Sequence, residues 1–199
     1  NNWKKYFKPI RIGNKLIIKP SWEELNETED RIVLEIDPSS SFGTGTHATT
    51  QLCLEALEDA IKPGCDVLDM GCGSGILSVG AMLLGAKSVT GVDIEEASIE
   101  VSMENAKRNR IDEGNFHLHC GNVLSDEKLA DEIAKKQYDV VVAMSSLFKR
   151  YLKQDGTLIT SGIITERIDD VVLALLKAGF IIKEIRPKDD WAAVVAVHR

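Results

Sequence analysis

The chain has 199 residues, of which 44% are hydrophobic and 28% charged, and its formal net charge at pH 7 is -7. This length suits one ordinary domain with a substantial core, and the acidic balance argues against a general nucleic-acid binder held by phosphate contacts. No apolar run approaches the roughly 20 residues that span a bilayer, so we expect no membrane partner. Because of the acidic charge, we also expect no direct nucleic-acid binding. An acidic chain would instead suit a basic protein partner.

The chain opens with "NNWKKYF" and has no initiator Met. Either the N-terminus was processed or, as we favour, the sequence is a piece of a longer protein. Residues 1–35 mix basic and aromatic side chains, which predicts a linker or lid with short strands in "KLIIKP" and "DRIVLEI"; a nucleic-acid surface is the alternative. Residues 36–199 are predicted to form a single domain without internal repeats.

From Thr46 onward, segments with helical periodicity alternate with short apolar segments typical of buried strands. The first helix is predicted in "HATTQLCLEALEDAI", with four apolar residues on one face and Pro63-Gly64 ending it. Further helices are predicted in "GILSVGAMLLGA", "EASIEVSMENAKRN", "DEKLADEIAKK" and "RIDDVVLALLKAG". Strands are predicted in "DVLDM", "SVTGVDI", "NFHLHCG", "YDVVVAM", "GTLITSGI", "FIIKEIRP" and "WAAVVAVH".

This order predicts an α/β fold with a doubly wound, mostly parallel seven-stranded sheet. Its last two strands form a hairpin through residues 187–190, which makes the terminal strand antiparallel. The four cysteines show neither a CxxC motif nor metal-ligand spacing, so we expect reduced, structural thiols in a cytoplasmic protein without a metal site. They are Cys53, Cys65, Cys72 and Cys120.

A glycine cluster follows the first strand of the predicted sheet. In "VLDMGCGSG", Asp69 ends the strand, and Gly71, Gly73 and Gly75 occupy alternate positions before a helix. Sheets of this kind bind ligands at the carboxyl ends of their strands, and glycines let a ligand lie against the backbone. Asp93 ends the next strand, where a carboxylate can accept hydrogen bonds from ribose hydroxyls. Alternatively, the glycines serve only close strand-to-helix packing.

NAD and S-adenosylmethionine are the two ligands that this cluster could indicate. An NAD site requires GxGxxG, whereas here Gly75 is followed by Ile76 and the spacing is GxGxG. The acid two residues ahead of the cluster suits a ligand with an ammonium or sulfonium group and would repel a pyrophosphate. The pattern therefore favours S-adenosylmethionine, with an NAD-dependent oxidoreductase as the alternative.

The stretch "DPSSSFGTGTHATTQLCLEALE", followed by "VLDMGCGSGILSVGAMLLGA", resembles the PrmA family, methyltransferases of the eleventh protein of the large ribosomal subunit. Members of that family carry a DPGxAFGTGTHxTT loop, and "WKKYFKPIRIGNKLIIKPSWEE" and the "SGI" of residues 161–163 are also similar. The resemblance implies a class I methyltransferase domain in residues 36–199, without the family's N-terminal substrate-recognition domain. It implies methyl transfer from S-adenosylmethionine to lysine and α-amino groups of a basic ribosomal protein in the cytoplasm.

The resemblance also implies that Thr50, Gly71 and Asp93 contact the cofactor. The loop "SFGTGTHATT" lacks the Lys of a phosphate-binding Walker loop, but its hydroxyls and amides can hold the methionine carboxylate. The N-terminus of the first helix, near His47, turns its partial positive charge toward that carboxylate. A general-base role is one hypothesis for His47, and orienting the loop is the other.

Three further residues are candidate cofactor contacts, each with a structural alternative. Thr46 either contacts the cofactor or caps the helix. Phe42 forms a wall of the cofactor or acceptor site, or belongs to the core. Asn122, after the third strand, either approaches the adenine ring or is a turn residue.

The sequence departs from the family pattern after the fourth strand. The family continues "VVAN" into Ile-Leu and a helix, and that Asn is a cofactor contact beside the acceptor. Here Met144 stands at the Asn position, and "MSSLFKRYL" is short for a crossover of a dozen or more residues. Either the chain is a deletion variant or, as we favour, an acceptor-site loop between Ala143 and Met144 is missing from the sequence. The lost Asn keeps two alternatives open: a methyltransferase with another acceptor, and a non-catalytic cofactor-binding module.

Overall fold

The computed structural model describes residues 7–37, 46–143 and 146–199, and its strands form two sheets. The smaller sheet lies at the N-terminus and contains β1 (Ile10–Ile12), β2 (Leu16–Lys19) and β3 (Ile32–Glu35). Strand β1 is antiparallel to β2, and β2 is parallel to β3. Strands β2 and β3 confirm the two predicted N-terminal strands, whereas the short β1 was not predicted.

In the described part of the chain, five helices and seven further strands follow in the predicted alternation. The helices are α1 (Ala48–Ala60), α2 (Ile76–Leu83), α3 (Glu96–Arg108), α4 (Glu127–Ala134) and α5 (Ile168–Lys177). The strands are β4 (Asp66–Met70), β5 (Ser88–Asp93), β6 (Phe116–Cys120), β7 (Tyr138–Val142), β8 (Leu152–Ile164), β9 (Phe180–Lys188) and β10 (Trp191–His198).

The larger sheet has the order β6-β5-β4-β7-β8-β10-β9. Neighbours from β6 to β8 are parallel, and β10 is antiparallel to both β8 and β9. The predicted seven-stranded, mostly parallel fold with an antiparallel terminal strand is therefore confirmed. The largest boundary difference from the prediction is that β8 begins at Leu152 rather than Gly156. Strand β9 also continues through Lys188, so that Asp189 and Asp190 form the hairpin turn.

Helices cover both faces of the larger sheet. One core cluster joins residues of α1, α2 and the N-terminal sheet to β4, and a second joins residues of α5 to β8 and β10. The four apolar residues predicted on one face are buried: Leu52, Leu54 and Leu57 in α1, and Ile61 at its C-cap. A Cβ at Gly80 would lie 2.7 Å from Leu54 Cδ2, so the glycine allows α1 and α2 to pack closely.

A short connection joins β7 to β8. Its described part contains a 3-10 helix of six residues, Ser146–Tyr151, which ends immediately before the start of β8. At a rise of about 2.0 Å per residue, such a helix covers roughly 12 Å. This is about three quarters of the roughly 16 Å that a five-residue strand covers at about 3.3 Å per residue. Met144 lies outside the described residues, and the missing acceptor-site loop stays a prediction.

Candidate functional site

A cavity of about 620 Å³ opens at the carboxyl ends of the central strands. This volume is within the range of about 300–1,000 Å³ that is usual for small-molecule sites. The wall comes from the end of β4, the glycine turn, the N-terminal turns of α1 and α2, the end of β7, two residues of β8 and one of β10. It includes His47, Thr49, Thr50, Cys53, Asp69, Met70, Gly71, Cys72, Gly73, Ser74, Ile76, Leu77, Val142, Ala143, Ser161, Gly162 and Trp191.

The glycine turn requires its glycines for the backbone conformation. Gly71, Gly73 and Gly75 have φ of +79°, +53° and +78°, values that L side chains rarely adopt. A Cβ at Gly75 would lie 2.8 to 3.0 Å from atoms of Ser102, so close packing on α3 also explains this glycine. A Cβ at Gly71 would meet no described atom within 4 Å. Gly71 therefore leaves open space beside the cavity rather than serving packing.

Asp69 places a carboxyl group in the cavity wall, although its residue is only 1% exposed. Ser78 Oγ donates a hydrogen bond to Asp69 Oδ2 at 2.6 Å. Burial, with a smaller contribution from the nearby charge of Asp93, raises the pKa of Asp69 to about 6 against the opposing effect of the hydrogen bonds from Ser78. In the described part of the chain, Asp69 forms no ion pair with Lys, Arg or His. The cavity wall thus contains a buried acid that has no cationic partner among the described residues.

Asp93 lies beside the glycine turn rather than in the cavity wall. Its Oδ2 accepts a hydrogen bond from the Gly73 amide at 2.9 Å, and its Oδ1 accepts one from the Glu95 amide at 3.0 Å. Each carboxylate oxygen has a further lone pair, so the half-buried side chain can still accept hydrogen bonds from a ligand. The next residue, Ile94, is 68% exposed and presents an apolar surface beside this acid.

The N-terminus of α1 contributes two threonines and a histidine to the cavity wall. His47 is the N-cap residue, and its Nδ1 accepts a hydrogen bond from the Thr49 amide at 3.2 Å. The same nitrogen lies 2.7 Å from Thr49 Oγ1, and the His47 ring contacts Trp191 edge-on with centroids 5.2 Å apart. The geometry therefore favours the orienting role, because Nδ1 is engaged within the protein. Thr50 is half-buried and lies in the wall.

Two further predicted site residues, Thr46 and Asn122, do not line this cavity. Thr46 is exposed and lines a small crevice beside the N-terminal sheet, next to Ile18 and Ile36. Asn122 is exposed, and its Oδ1 accepts a hydrogen bond from the Leu124 amide at 3.0 Å, which is the geometry of the alternative turn role. Phe42 lies outside the described residues.

Several wall residues were not predicted. Cys53 follows Thr50 by one helical turn, and burial raises the pKa of both Cys53 and Cys72 to about 12, so the wall carries neutral thiols. Ser161 Oγ donates to the Thr49 carbonyl at 3.2 Å and ties β8 to α1. The "SGI" resemblance was the available signal for Ser161, whereas nothing in the local sequence marked Trp191.

Comparison with known proteins identifies the family. A sequence model described as "Ribosomal protein L11 methyltransferase (PrmA)" matches residues 1–199. The chain belongs to this family. It is 42% identical over 204 residues to the ribosomal protein L11 methyltransferase of Acetivibrio thermocellus, an alignment that covers 98% of this chain and 62% of that protein. The Dictyoglomus turgidum protein of the same name is 43% identical over 198 residues, covering 98% of this chain and 65% of the relative.

A solved PrmA-family structure supports the same assignment. The ribosomal protein L11 methylase of Lactobacillus delbrueckii subsp. bulgaricus superposes with a TM-score of 0.83 at 28% identity, covering 97% of this chain and 100% of that chain. The present chain spans 62% to 66% of the length of the curated relatives.

Neither a metal site nor a membrane-spanning helix is found among the described residues. No group of three or more His, Cys, Asp and Glu side chains among them is arranged to hold a metal ion. Within the same residues, no helix combines the length and apolar character needed to cross a membrane. All four cysteines are free, as predicted.

Proposed function

We propose that this PrmA-family chain binds S-adenosylmethionine in the cavity and transfers its methyl group to lysine and α-amino groups of ribosomal protein L11. The observation that carries the proposal is the buried carboxyl group of Asp69, which has no cationic partner among the described residues. A ligand with a positive charge would compensate this acid, whereas a pyrophosphate would add a second negative charge. The names of the curated relatives supply the acceptor protein.

The residues around the cavity fit the parts of this cofactor. Gly71 leaves room for a ligand to lie against the backbone, and Asp69 favours its positively charged groups. The N-terminus of α1, with Thr50, suits the methionine carboxylate because the helix dipole places partial positive charge there and the Thr50 hydroxyl can donate a hydrogen bond. Asp93 suits the ribose hydroxyls, and the exposed side chain of Ile94 offers a flat base an apolar contact.

The other candidate residues have less direct roles in this proposal. Gly73 and Gly75 shape the turn, and we assign them to the cofactor site through the backbone rather than through any side chain. Thr46, Phe42 and Asn122 stay predicted contacts, and calorimetry on alanine variants of Thr46 and Asn122 tests two of them directly.

The bound cofactor supplies an electrophilic methyl group on a sulfonium with a good leaving group. The contribution of the chain is to position the acceptor and exclude water, which can lower a barrier by several kcal/mol or more. A lysine with a pKa of about 10.4 is neutral in roughly one molecule in 10³ at pH 7. The apolar wall formed by Val142, Ala143 and Trp191 disfavours the charged amine by desolvation, which makes the reactive lone pair available. His47 acts here by holding the start of α1.

Calorimetry with three ligands tests the cofactor assignment. The wild-type chain should bind S-adenosylmethionine and S-adenosylhomocysteine but not NADH, and Asp69→Asn should weaken binding. Asp66→Asn is a matched control, because Asp66 lies at the opposite end of β4 and is paired with Lys136 at 2.9 Å. A larger loss for S-adenosylmethionine than for S-adenosylhomocysteine would locate the effect of Asp69 at the sulfonium. Binding of NADH without S-adenosylhomocysteine would refute the assignment.

Transfer of a tritiated methyl group tests the reaction itself. Unmodified ribosomal protein L11 should become labelled by the wild-type chain and not by a variant that fails to bind the cofactor. Labelling of another acceptor alone would replace the proposed substrate. Cofactor binding without transfer to any acceptor would instead support the non-catalytic binding module.

A further inference from the structure

The inner face of α3 is polar rather than apolar. Ser98, Ser102 and Asn105 are buried, and Asn105 is only 2% exposed. Residues three and four positions apart share one helix face, so Ser102, Asn105 and Asn109 form a row along α3. Buried polar groups need hydrogen-bond partners. The partners of this row belong to two segments that are remote from each other in sequence.

The first segment is the glycine turn of the cofactor cavity. Ser102 Oγ donates a hydrogen bond to the Gly73 carbonyl at 2.8 Å, and Asn105 Nδ2 donates to the Ser74 carbonyl at 2.9 Å. Helix α3 therefore supports the turn from the side of its carbonyl groups. Its position fixes where the turn presents Gly71 and Gly73 to a ligand.

The second segment is the end of β3. The Asn109 side chain pairs with both backbone groups of Glu35: its Oδ1 accepts from the amide at 2.8 Å, and its Nδ2 donates to the carbonyl at 2.6 Å. The Asp37 amide donates to Asn105 Oδ1 at 3.4 Å, and Arg108 Nη2 contacts Asp37 Oδ2 at 3.0 Å. Ser21 also donates to both carboxylate oxygens of Asp37, at 2.9 and 3.0 Å.

We propose that Asn105 is a positioning residue that couples the cofactor site to the N-terminal sheet. Within the described part of α3, Asn105 alone hydrogen-bonds to both segments, through opposite ends of one buried amide group. A ligand that holds the glycine turn in place therefore also favours the position of the Asp37 amide. Coupling between sites is reciprocal, so an ordered β3 increases the affinity for the ligand by the same factor. This inference rests on the proposed function, because it assumes that the turn binds S-adenosylmethionine and its product.

Three alanine variants separate the two contacts. Calorimetry with S-adenosylhomocysteine measures affinity, and hydrogen exchange of residues 32–37, with and without saturating ligand, measures coupling. For Asn105→Ala we expect an affinity loss of about tenfold, the usual consequence of losing one buried hydrogen bond, and no slowing of exchange on saturation. Ser102→Ala, which touches only the turn, should weaken binding but keep the slowing. Asn109→Ala removes the pairing with Glu35 and one hydrogen bond to the Asn105 carbonyl. It should speed exchange, keep the slowing on saturation and, because the coupling is reciprocal, lower the affinity by less than Asn105→Ala does.

A further variant protects the test against misfolding of Asn105→Ala. Asn105→Asp keeps an acceptor for the Asp37 amide but loses the donor to the Ser74 carbonyl, and it should behave like Asn105→Ala in both measurements. If the wild type binds S-adenosylhomocysteine and both Asn105 variants still show the wild-type slowing at saturation, the coupling proposal is refuted while the proposed function stands. If the wild type does not bind this ligand, both proposals fail.

Discussion

The substitution Gly71→Ala separates the backbone role of the glycine turn from its role in ligand binding. Gly71 has a φ of +79°, and an added Cβ would meet no described atom within 4 Å. The cost to the folded state is therefore conformational only, about 1–2 kcal/mol for an L residue in the left-handed region. Gly64→Ala is a matched control, because Gly64 has a φ of +85°, is equally unobstructed and lies outside the cavity wall.

The two variants should unfold alike but bind differently. Urea unfolding followed by tryptophan fluorescence should show the same loss of about 1–2 kcal/mol in each. Because the Cβ added by Gly71→Ala would occupy the open space beside the cavity, we expect this variant to lose at least about tenfold in affinity for S-adenosylhomocysteine, or roughly 1.4 kcal/mol. Gly64→Ala should retain wild-type affinity. Wild-type affinity in Gly71→Ala would refute a ligand position against this turn.

Substitutions at four other positions test the remaining parts of the site. Gly75→Ala should lower the unfolding free energy by about 1–3 kcal/mol more than Gly64→Ala, because its Cβ would overlap Ser102; equal losses in urea unfolding would contradict this. Asp93→Ala should weaken S-adenosylhomocysteine binding by about 1–3 kcal/mol in calorimetry, and unchanged affinity would exclude Asp93 as the ribose acceptor. His47→Asn preserves an N-cap and should retain methyl transfer, whereas His47→Ala removes the cap and should lower the free energy of unfolding by about 1 kcal/mol. If His47→Asn folds normally but no longer transfers the methyl group, His47 acts as a general base. The pKa of Asp69 is about 6 in the folded protein and about 3.9 in the unfolded chain. Ionisation of Asp69 therefore opposes folding at pH 7, and this cost disappears as the pH falls through 6 towards 4. Asp69→Asn should therefore stabilise the ligand-free protein at pH 7 by up to about 3 kcal/mol, and an unchanged pH dependence of unfolding would refute the shift.

Local patterns were sufficient to predict the central part of the fold. The strand predicted in "DVLDM" coincides with β4, Asp66–Met70, because its apolar residues are bounded by Gly64 on one side and by the glycine turn on the other. A glycine also marks the end of α2, which stops before Gly85, whose φ is +109°. These signals are short-range, so one sequence suffices to read them.

The polar face of α3 could not be predicted in this way. Periodicity favours an inward position for Met103 and an outward one for Asn105, yet Met103 is exposed and Asn105 is buried. The reason is that α3 packs here on backbone carbonyl and amide groups, which require donors and acceptors rather than methyl groups. Trp191 was not predicted as a cavity residue for another reason. It reaches the cavity only because β10 inserts between β8 and β9, a long-range pairing with no local signal.

The N-terminal sheet is attached to the helix that begins at the cavity. Glu58 of α1 is buried and accepts hydrogen bonds from the amides of Asn14 and Lys15 at 2.8 and 2.9 Å. Gly13 has a φ of +53°, and a Cβ there would lie 2.6 Å from Glu58 Oε2, so a larger residue would require this carboxylate to move away from the two amides. Leu16 and Leu34 are fully buried in the same core cluster as α1.

The sheet is consequently held at two places that both lead to the candidate site. Glu58 ties its first turn to α1, whose N-terminus lies in the cavity wall, and Asn109 and Asn105 tie its last strand to α3, which supports the glycine turn. A displacement of the sheet relative to α3 would leave buried amide groups unpaired, at a cost of about 1–3 kcal/mol for each. A force applied to this sheet, for example by a bound protein substrate, would therefore be transmitted through these hydrogen bonds to both sides of the cavity. It would not stay confined to residues 7–37.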